Sequence, residues 1–86
     1  MKEFQGTPGP WSINHYYNWI ESENADRVVI GGSQGFDADD ANLIAAAPEL
    51  LEALQETIHE VGHWLSTQKP ELKEKIESAI NKALGE

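Results

Sequence analysis

The stretch DADDANLIAAAPELLEAL, residues 37–54, marks the point where the chain changes from one kind of secondary structure to another. Asp37 is a favourable N-cap residue, and Asp40 stands three positions later, where a carboxylate can reach back as in a capping box. Asp39 and Asp40 also suit the positive end of a helix dipole. These residues predict a helix that begins near Ala38.

Pro48 lies inside this helical stretch. A proline within a helix removes one backbone donor and clashes with the preceding turn, but it is tolerated in the first turn of a new helix. We therefore expect a kink or a break at Ala47-Pro48, followed by a helix over residues 48–66.

The residues after the proline predict two paired helices. An apolar stripe with the period of one helix face comprises Leu51, Leu54, Ile58, Val61 and Leu65. Residues 67–69 form a short connection, Pro70 suits the first turn of a last helix, and Gly85 suits its C′ position. Two helices with a short connection predict a helical hairpin, whose apolar faces can meet each other, a sheet or a second copy of the chain.

The residues before the helix favour β-structure. Strand-forming residues are dense in residues 11–20, a β-branched cluster covers 27–30, and residues 21–26 between them are polar and typical of a turn. A further turn at His15 or Asn18 would give three strands.

The predicted fold is therefore α+β. It consists of a small N-terminal antiparallel β-hairpin or three-stranded meander, followed by a kinked helix and a C-terminal helix that form a helical hairpin. We expect one small domain over residues 1–86, with an extended arm at 1–10, a β-region at 11–32 and a helical region at 37–84.

Composition restricts the function further. A chain of 86 residues is near the lower limit for independent folding, so self-association is expected. The absence of cysteine excludes disulfides, thiolate metal sites and cysteine nucleophiles. A net charge of -9, from 15 acidic and 6 basic residues, disfavours direct binding of nucleic acid or of an anionic membrane. An acidic protein can instead target the basic surface of another protein, although solubility alone explains such a charge.

Hydropathy predicts a protein of the cytoplasm. The longest wholly apolar run is residues 43–47, far short of the roughly 20 residues that span a bilayer. The N-terminal residues 1–11 contain no apolar segment of the kind found in secretory signals.

One motif suggests metal chemistry. Residues 59–63, HEVGH, fit the H-E-x-x-H pattern, in which His59 and His63 bind zinc and Glu60 acts as general base. A third ligand would have to come from the last helix, where Glu71, Glu74 and Glu77 lie. A peptidase also needs a cleft that a chain this short hardly provides, and a three-residue pattern matches often by chance. We therefore predict no catalytic residue, no cofactor and no metal, and keep a zinc-dependent hydrolase as the alternative.

The loop Gly31-Gly32-Ser33-Gln34-Gly35 precedes the first helix. Backbone N–H groups in such a position can hold a phosphate. No Gly-Lys-Ser/Thr follows, however, and the nearby aspartates would repel an anion, so a flexible connection is the favoured interpretation.

The segment before residue 20 is rich in aromatic residues. Strand alternation would place Trp11, Ile13, His15, Tyr17 and Trp19 on one face and Tyr16 on the other. A small sheet covered on one side cannot bury both faces, and exposed aromatic side chains are typical binding anchors. The competing interpretation places Trp11 and Trp19 in the core. The predicted ligand- or partner-binding residues are Trp11, His15, Tyr16, Tyr17, Trp19, Arg27, Gly32, Ser33 and Gln34.

Two segments carry a family resemblance: Thr7-Pro8-Gly9-Pro10-Trp11, and residues 41–54, ANLIAAAPELLEAL. Together they resemble small, mostly uncharacterised proteins of bacteriophages and prophages that share a TPGPW opening and an ARLIAAAPELLEAL-like helix. Asn42 stands where that group often has arginine. The resemblance covers residues 7–55, so HEVGH lies outside it.

The resemblance implies a phage-encoded accessory protein in the host cytoplasm. Small acidic phage proteins of this kind bind and block a host factor, including components of defence systems, and some sequester nucleotide signals. We therefore expect a self-associating, non-enzymatic inhibitor whose partner is a host protein or a small nucleotide-like ligand. A purely structural homo-oligomer is a further alternative.

Overall fold

The structure is a computed structural model that describes residues 4–30 and 37–85. Three strands, β1 (Trp11–Asn14), β2 (Trp19–Ser22) and β3 (Arg27–Ile30), are followed by two helices, α1 (Ala38–Gln68) and α2 (Pro70–Leu84). The strands form one antiparallel sheet in the order β1-β2-β3. The predicted α+β fold, a meander followed by two helices, is confirmed.

The chain divides into two compact units. One is Gly6–Glu49, and the other comprises the described residues of Leu50–Glu86 and Met1–Gln5. The boundary between them falls within α1, directly after Glu49. The expectation of one domain over residues 1–86 stays a prediction.

The first turn of the sheet is built on an asparagine at each end. Asn14 pairs with Trp19 across the strands, so residues 15–18 form the turn. Asn18 has a φ of 60°, a left-handed conformation in which Asn is enriched, and its N–H donates to the Asn14 carbonyl over 2.8 Å. The predicted turn between His15 and Asn18 is therefore confirmed.

The second turn and the β3 strand depart from regular geometry. Ser22 is buried, its Oγ accepts the N–H of Asp26 at 3.2 Å, and Ala25 has a φ of 65°. On β3, Val29 pairs with Ile20 and Arg27 with Glu21, which leaves Val28 as the extra residue of a β-bulge.

The two faces of the sheet differ in burial. Directly paired residues of antiparallel strands point to the same side, so Trp11 and Ser22 share a face with Ile13 and Ile20. Ile20 is fully buried and Ser22 nearly so, which makes this the core face.

The opposite face carries Asn14, Trp19 and Glu21. The prediction that Trp11 and Trp19 share a face is therefore wrong. The turn interrupts the alternation of side chains between the two faces. The face on which Trp19 lies is therefore set by its pairing with Asn14, and not by its sequence distance from Trp11.

Helix α1 begins as predicted but is longer than predicted. Oδ1 of Asp37 accepts the N–H groups of Asp39 at 2.9 Å and Asp40 at 3.3 Å, which confirms the N-cap. Of the predicted kink or break at Ala47-Pro48, the break and the separate helix over 48–66 are wrong, because α1 runs without interruption through Pro48 to Gln68. The kink stays a prediction.

The N-terminal arm contacts this proline. A Cβ built on Gly9 would lie 2.6 Å from Cβ and 3.0 Å from Cγ of Pro48. The Gly9 backbone therefore lies against the proline ring, an approach that only glycine permits. Proline removes one helical hydrogen bond, and this packing offsets part of the loss.

In the second unit, α1 and α2 are separated by Lys69 alone. Gly62 is buried, and a Cβ on it would lie 4.0 Å from Cε of Lys73, so the Lys73 side chain of α2 extends to this point of α1. Leu65, Ile80 and Leu84 are also buried. Gly85 ends α2 in the left-handed conformation, as predicted, with a φ of 79°.

One member of the predicted apolar stripe is misplaced. Val61 is 42% exposed, whereas its neighbour Gly62 is buried. The prediction that Val61 belongs to the core is wrong, because α1 turns its Gly62 side toward Lys73 of α2.

Candidate binding surface on the sheet

Asn14 organises the turn between β1 and β2 with its side chain. Its Oδ1 accepts the N–H groups of Tyr16 and Tyr17, both at 3.0 Å. Its Nδ2 donates to Oε1 of Glu21 over 2.7 Å. An Asx side chain that binds the backbone two and three residues later fixes the conformation of a turn, so the backbone that carries both tyrosines is held in place.

Glu21 links the two strands on the same face. Its Oε1 also accepts the indole Nε1–H of Trp19 at 2.8 Å. Hydrogen bonds from Asn14, and then from Trp19, stabilise the charged form and hold the pKa of Glu21 below its ordinary value. Glu21 is therefore a carboxylate at neutral pH and orients the Trp19 ring.

Three aromatic rings and one guanidinium form a continuous row, which we call the aromatic row: Tyr16, Tyr17, Trp19 and Arg27. The Tyr16 and Tyr17 rings meet edge to face, with centroids 4.7 Å apart and an interplanar angle of 80°. Tyr17 stacks on Trp19 at 4.5 Å and 11°, and the Arg27 guanidinium carbon lies 5.2 Å from the Trp19 ring centroid. Both distances fit favourable aromatic and cation–π contacts.

The outer end of the aromatic row faces solvent. Tyr16 is 87% exposed and Tyr17 is 57% exposed, while Trp19 is half-buried. Two ordered, exposed aromatic rings on a hydrogen-bonded turn form a surface that loses little conformational freedom when it binds.

The structure separates the predicted binding residues into three groups. Tyr16, Tyr17, Trp19 and Arg27 come together, and His15 is exposed in the same turn. Trp11 lies on the opposite face of the sheet, where its Nε1–H donates to the Thr7 carbonyl over 3.2 Å. Gly32, Ser33 and Gln34 lie outside the described residues.

The sequence reasoning missed the two residues that organise this surface, Asn14 and Glu21. An asparagine directly before a turn is a recognisable signal, since Asn favours this position. Glu21 offered no such signal, because its role depends on the register that places it beside both Asn14 and Trp19.

The HEVGH residues have a different setting. His59, Glu60 and His63 are all exposed on α1. Within residues 4–30 and 37–85, no group of three or more His, Cys, Asp or Glu side chains is arranged to hold a metal ion. The third ligand that the motif requires is therefore not supplied by α2 in the described part of the chain.

One known protein family matches this chain over its whole length. Residues 1–86 match the model of the family described as Salmonella phage P22 protein Y8K6. The chain belongs to this phage protein family. The expectation of a small phage protein is thereby confirmed, while the two segments described as shared with other small phage proteins stay a prediction. Searches of curated proteins and of solved structures found no match.

In the ranges that the structure describes, no helix is long and apolar enough to cross a membrane. The location in the host cytoplasm stays a prediction.

Proposed function

We propose that this phage protein is a non-enzymatic binding protein that inhibits a component of the bacterial host, namely a factor of an anti-phage defence system. It binds its target through the aromatic row. The target is a host protein or a small nucleotide-like signal that the protein sequesters.

The observation that carries this proposal is the exposure of Tyr16 and Tyr17 on a turn that Asn14 holds in place. Exposed aromatic side chains carry a large share of binding energy in protein interfaces and also stack on planar ligands. Membership of a phage family supports a role in the infected host cell.

The charges near the aromatic row balance one another. Glu21 and Arg27 are directly paired across β2 and β3, and no other charged side chain belongs to the exposed face formed by the described strands. Recognition here depends on stacking and shape, which suits an aromatic or apolar anchor of a protein and equally suits a nucleobase.

Binding experiments with two tyrosine variants test the proposal. Tyr16→Ala and Tyr17→Ala each remove a largely exposed ring, so we expect the fold to remain intact. Leu43→Ala is the matched control, because Leu43 is a 64% exposed apolar residue of the same compact unit but lies on α1.

The target is first identified by native mass spectrometry and affinity capture from host cells, with the protein purified without chelator. Its dissociation constant is then measured for each variant. We expect the tyrosine variants to weaken binding by roughly thirty-fold or more, as anchor residues do, and Leu43→Ala to change it by less than about three-fold. Undiminished binding by Tyr16→Ala and Tyr17→Ala would refute the role of the aromatic row.

The same spectra separate the alternatives. A co-purified nucleotide mass supports sequestration, and a captured host protein that the tyrosine variants lose supports inhibition by protein binding. One zinc ion per chain, lost in His63→Ala, would favour the hydrolase alternative. A defined assembly with no ligand and no host partner would favour a purely structural protein.

A further inference from the structure

A partly exposed stripe runs along the C-terminal part of α1, beside its core-facing side, and shares Leu54 and Val61 with the predicted apolar stripe. Its members follow one another at intervals of four, three, four and three residues: Leu50, Leu54, Thr57, Val61 and Trp64. We call these five residues the α1 seam. Such spacing keeps residues on one side of a helix and is typical of a helix that packs along another helix.

Three members of the seam have much larger exposed fractions than Leu65, which faces the core. Trp64 is 55% exposed, Leu50 48% and Val61 42%, whereas Leu65 is buried. Exposed tryptophan is unusual on a free protein surface and is enriched in interfaces.

The seam can be buried without leaving an unpaired polar group. Its single polar member, Thr57, already donates its hydroxyl to the Ala53 carbonyl over 2.7 Å within the helix. Helical geometry places Glu52 and Glu56 away from the seam, and Glu60 lies only at its flank. Burying a satisfied hydroxyl costs little, whereas an unpaired charge would cost several times more.

The unit that carries the seam has little core of its own. Among its described residues, the large apolar side chains that are buried are Leu65, Ile80 and Leu84. So small a core seldom stabilises a helix pair alone, and small folds commonly add buried area by association.

The pattern of the seam favours a second copy of this chain over a foreign partner. Leu50 and Trp64 each stand seven residues from Thr57, on either side of it, with Leu54 and Val61 between them. A two-fold dimer requires a surface that complements itself, and an antiparallel pairing brings the small Leu50 end of one seam onto the large Trp64 end of the other. The five seam residues carry no charge. Two chains of net charge -9 repel each other, and this repulsion is smallest if they meet through an uncharged surface.

We propose that the α1 seam is the interface of an antiparallel homodimer. This interface is separate from the aromatic row, and the proposal does not depend on what the aromatic row binds. A partner of another kind on the seam would leave the purified chain monomeric, which sedimentation distinguishes from the proposed dimer.

Sedimentation equilibrium over a wide range of protein concentration tests the proposal with two matched variants. Val61→Glu places a carboxylate in the middle of the seam, at a position already exposed in the single chain. His59→Glu adds the same side chain to the exposed opposite side of the same helix. We expect a dimer for the wild-type chain and for His59→Glu, and a dissociation constant raised roughly a hundred-fold or more in Val61→Glu, since a buried unpaired charge is costly.

Cysteine cross-linking supplies a readout that does not disturb the seam with charge. The chain contains no cysteine, so single substitutions report unambiguously. We expect a mixture of Leu50→Cys and Trp64→Cys chains to oxidise into a mixed disulfide dimer far faster than either variant alone. A wild-type chain that is monomeric at every concentration would overturn the proposal, as would a dimer that Val61→Glu leaves intact and that shows no preference for the mixed disulfide.

Discussion

At Gly9 the side chain is a hydrogen atom, and Pro48 fills the space beyond it. Gly9→Ala would push a methyl group to within 2.6 Å of the Pro48 ring, which is far inside van der Waals contact. We expect this substitution to lower the free energy of unfolding by about 1–3 kcal/mol, as overpacking does in other proteins. Urea denaturation followed by circular dichroism measures the change.

Gly62→Ala is the control for that experiment. A Cβ at Gly62 would lie 3.6 Å from Cγ2 of Ile58 and 4.0 Å from Cε of Lys73, which are ordinary contact distances. Alanine in a helix interior is favoured over glycine by about 0.5–1 kcal/mol, so we expect Gly62→Ala to stabilise the protein. Equal stability changes in the two variants would contradict the close contact at Gly9.

At the scale of the element, the β1–β2 hairpin depends on the charge of Glu21. The pKa of Glu21 is lower in the folded chain than in the unfolded chain, because Asn14 and Trp19 donate to the carboxylate only after folding. This stabilisation is present above the unfolded pKa and is lost as the pH falls through the folded pKa. We therefore expect the free energy of unfolding to fall less on acidification in Glu21→Gln than in the wild-type chain.

The Glu21 titration can also be followed directly by carbon NMR of its carboxyl group. Asn14→Ala removes the hydrogen bond with the largest effect, so the pKa of Glu21 should rise toward its ordinary value. The variant also leaves the N–H groups of Tyr16 and Tyr17 without their acceptor and should loosen the turn. An unchanged pKa in Asn14→Ala would show that the Asn14–Glu21 hydrogen bond does not form in solution.

At the scale of the whole molecule, net charge and self-association act against each other. A dimer that forms only from folded chains raises the unfolding temperature as protein concentration rises. Salt screens the repulsion between two chains of charge -9 and should strengthen this dependence. We expect calorimetry to find both effects in the wild-type chain.

Val61→Glu separates the two effects. Salt also reduces repulsion within a single chain, so this variant should still respond to salt while losing the dependence on concentration. A wild-type unfolding temperature that is the same at all concentrations would argue against the dimer.

The sequence predicted those features of the fold that depend on neighbouring residues. Asp37 caps α1 and Gly85 ends α2, as expected, because caps involve residues within a few positions of one another. The predictions that were wrong concern features in which residues far apart in the sequence come into contact. Pro48 lies within α1 with the Gly9 backbone packed against it, and no local rule anticipates that contact.

The candidate binding surface was predictable in part for the same reason. The aromatic composition indicated a binding surface, and the structure places Tyr16, Tyr17 and Trp19 in one row. The prediction that Tyr16 lies on the face opposite Tyr17 and Trp19 was wrong, because residues 15–18 form a turn and not a strand. The grouping of Trp11 with Trp19 was wrong because the turn length sets the register of β2, and alternation along a single strand cannot show it. Glu21 acquires its role only from that register.

The contact between Gly9 and Pro48 also bears on how this chain can diverge. Any side chain at position 9 meets Cβ of residue 48, so relief would require glycine at position 48. A side chain at position 9 is therefore harmful unless position 48 has already changed. We therefore expect the two positions to be inherited as a pair, each constrained by epistasis with the other, even in descendants whose sheet surface has drifted to a different target.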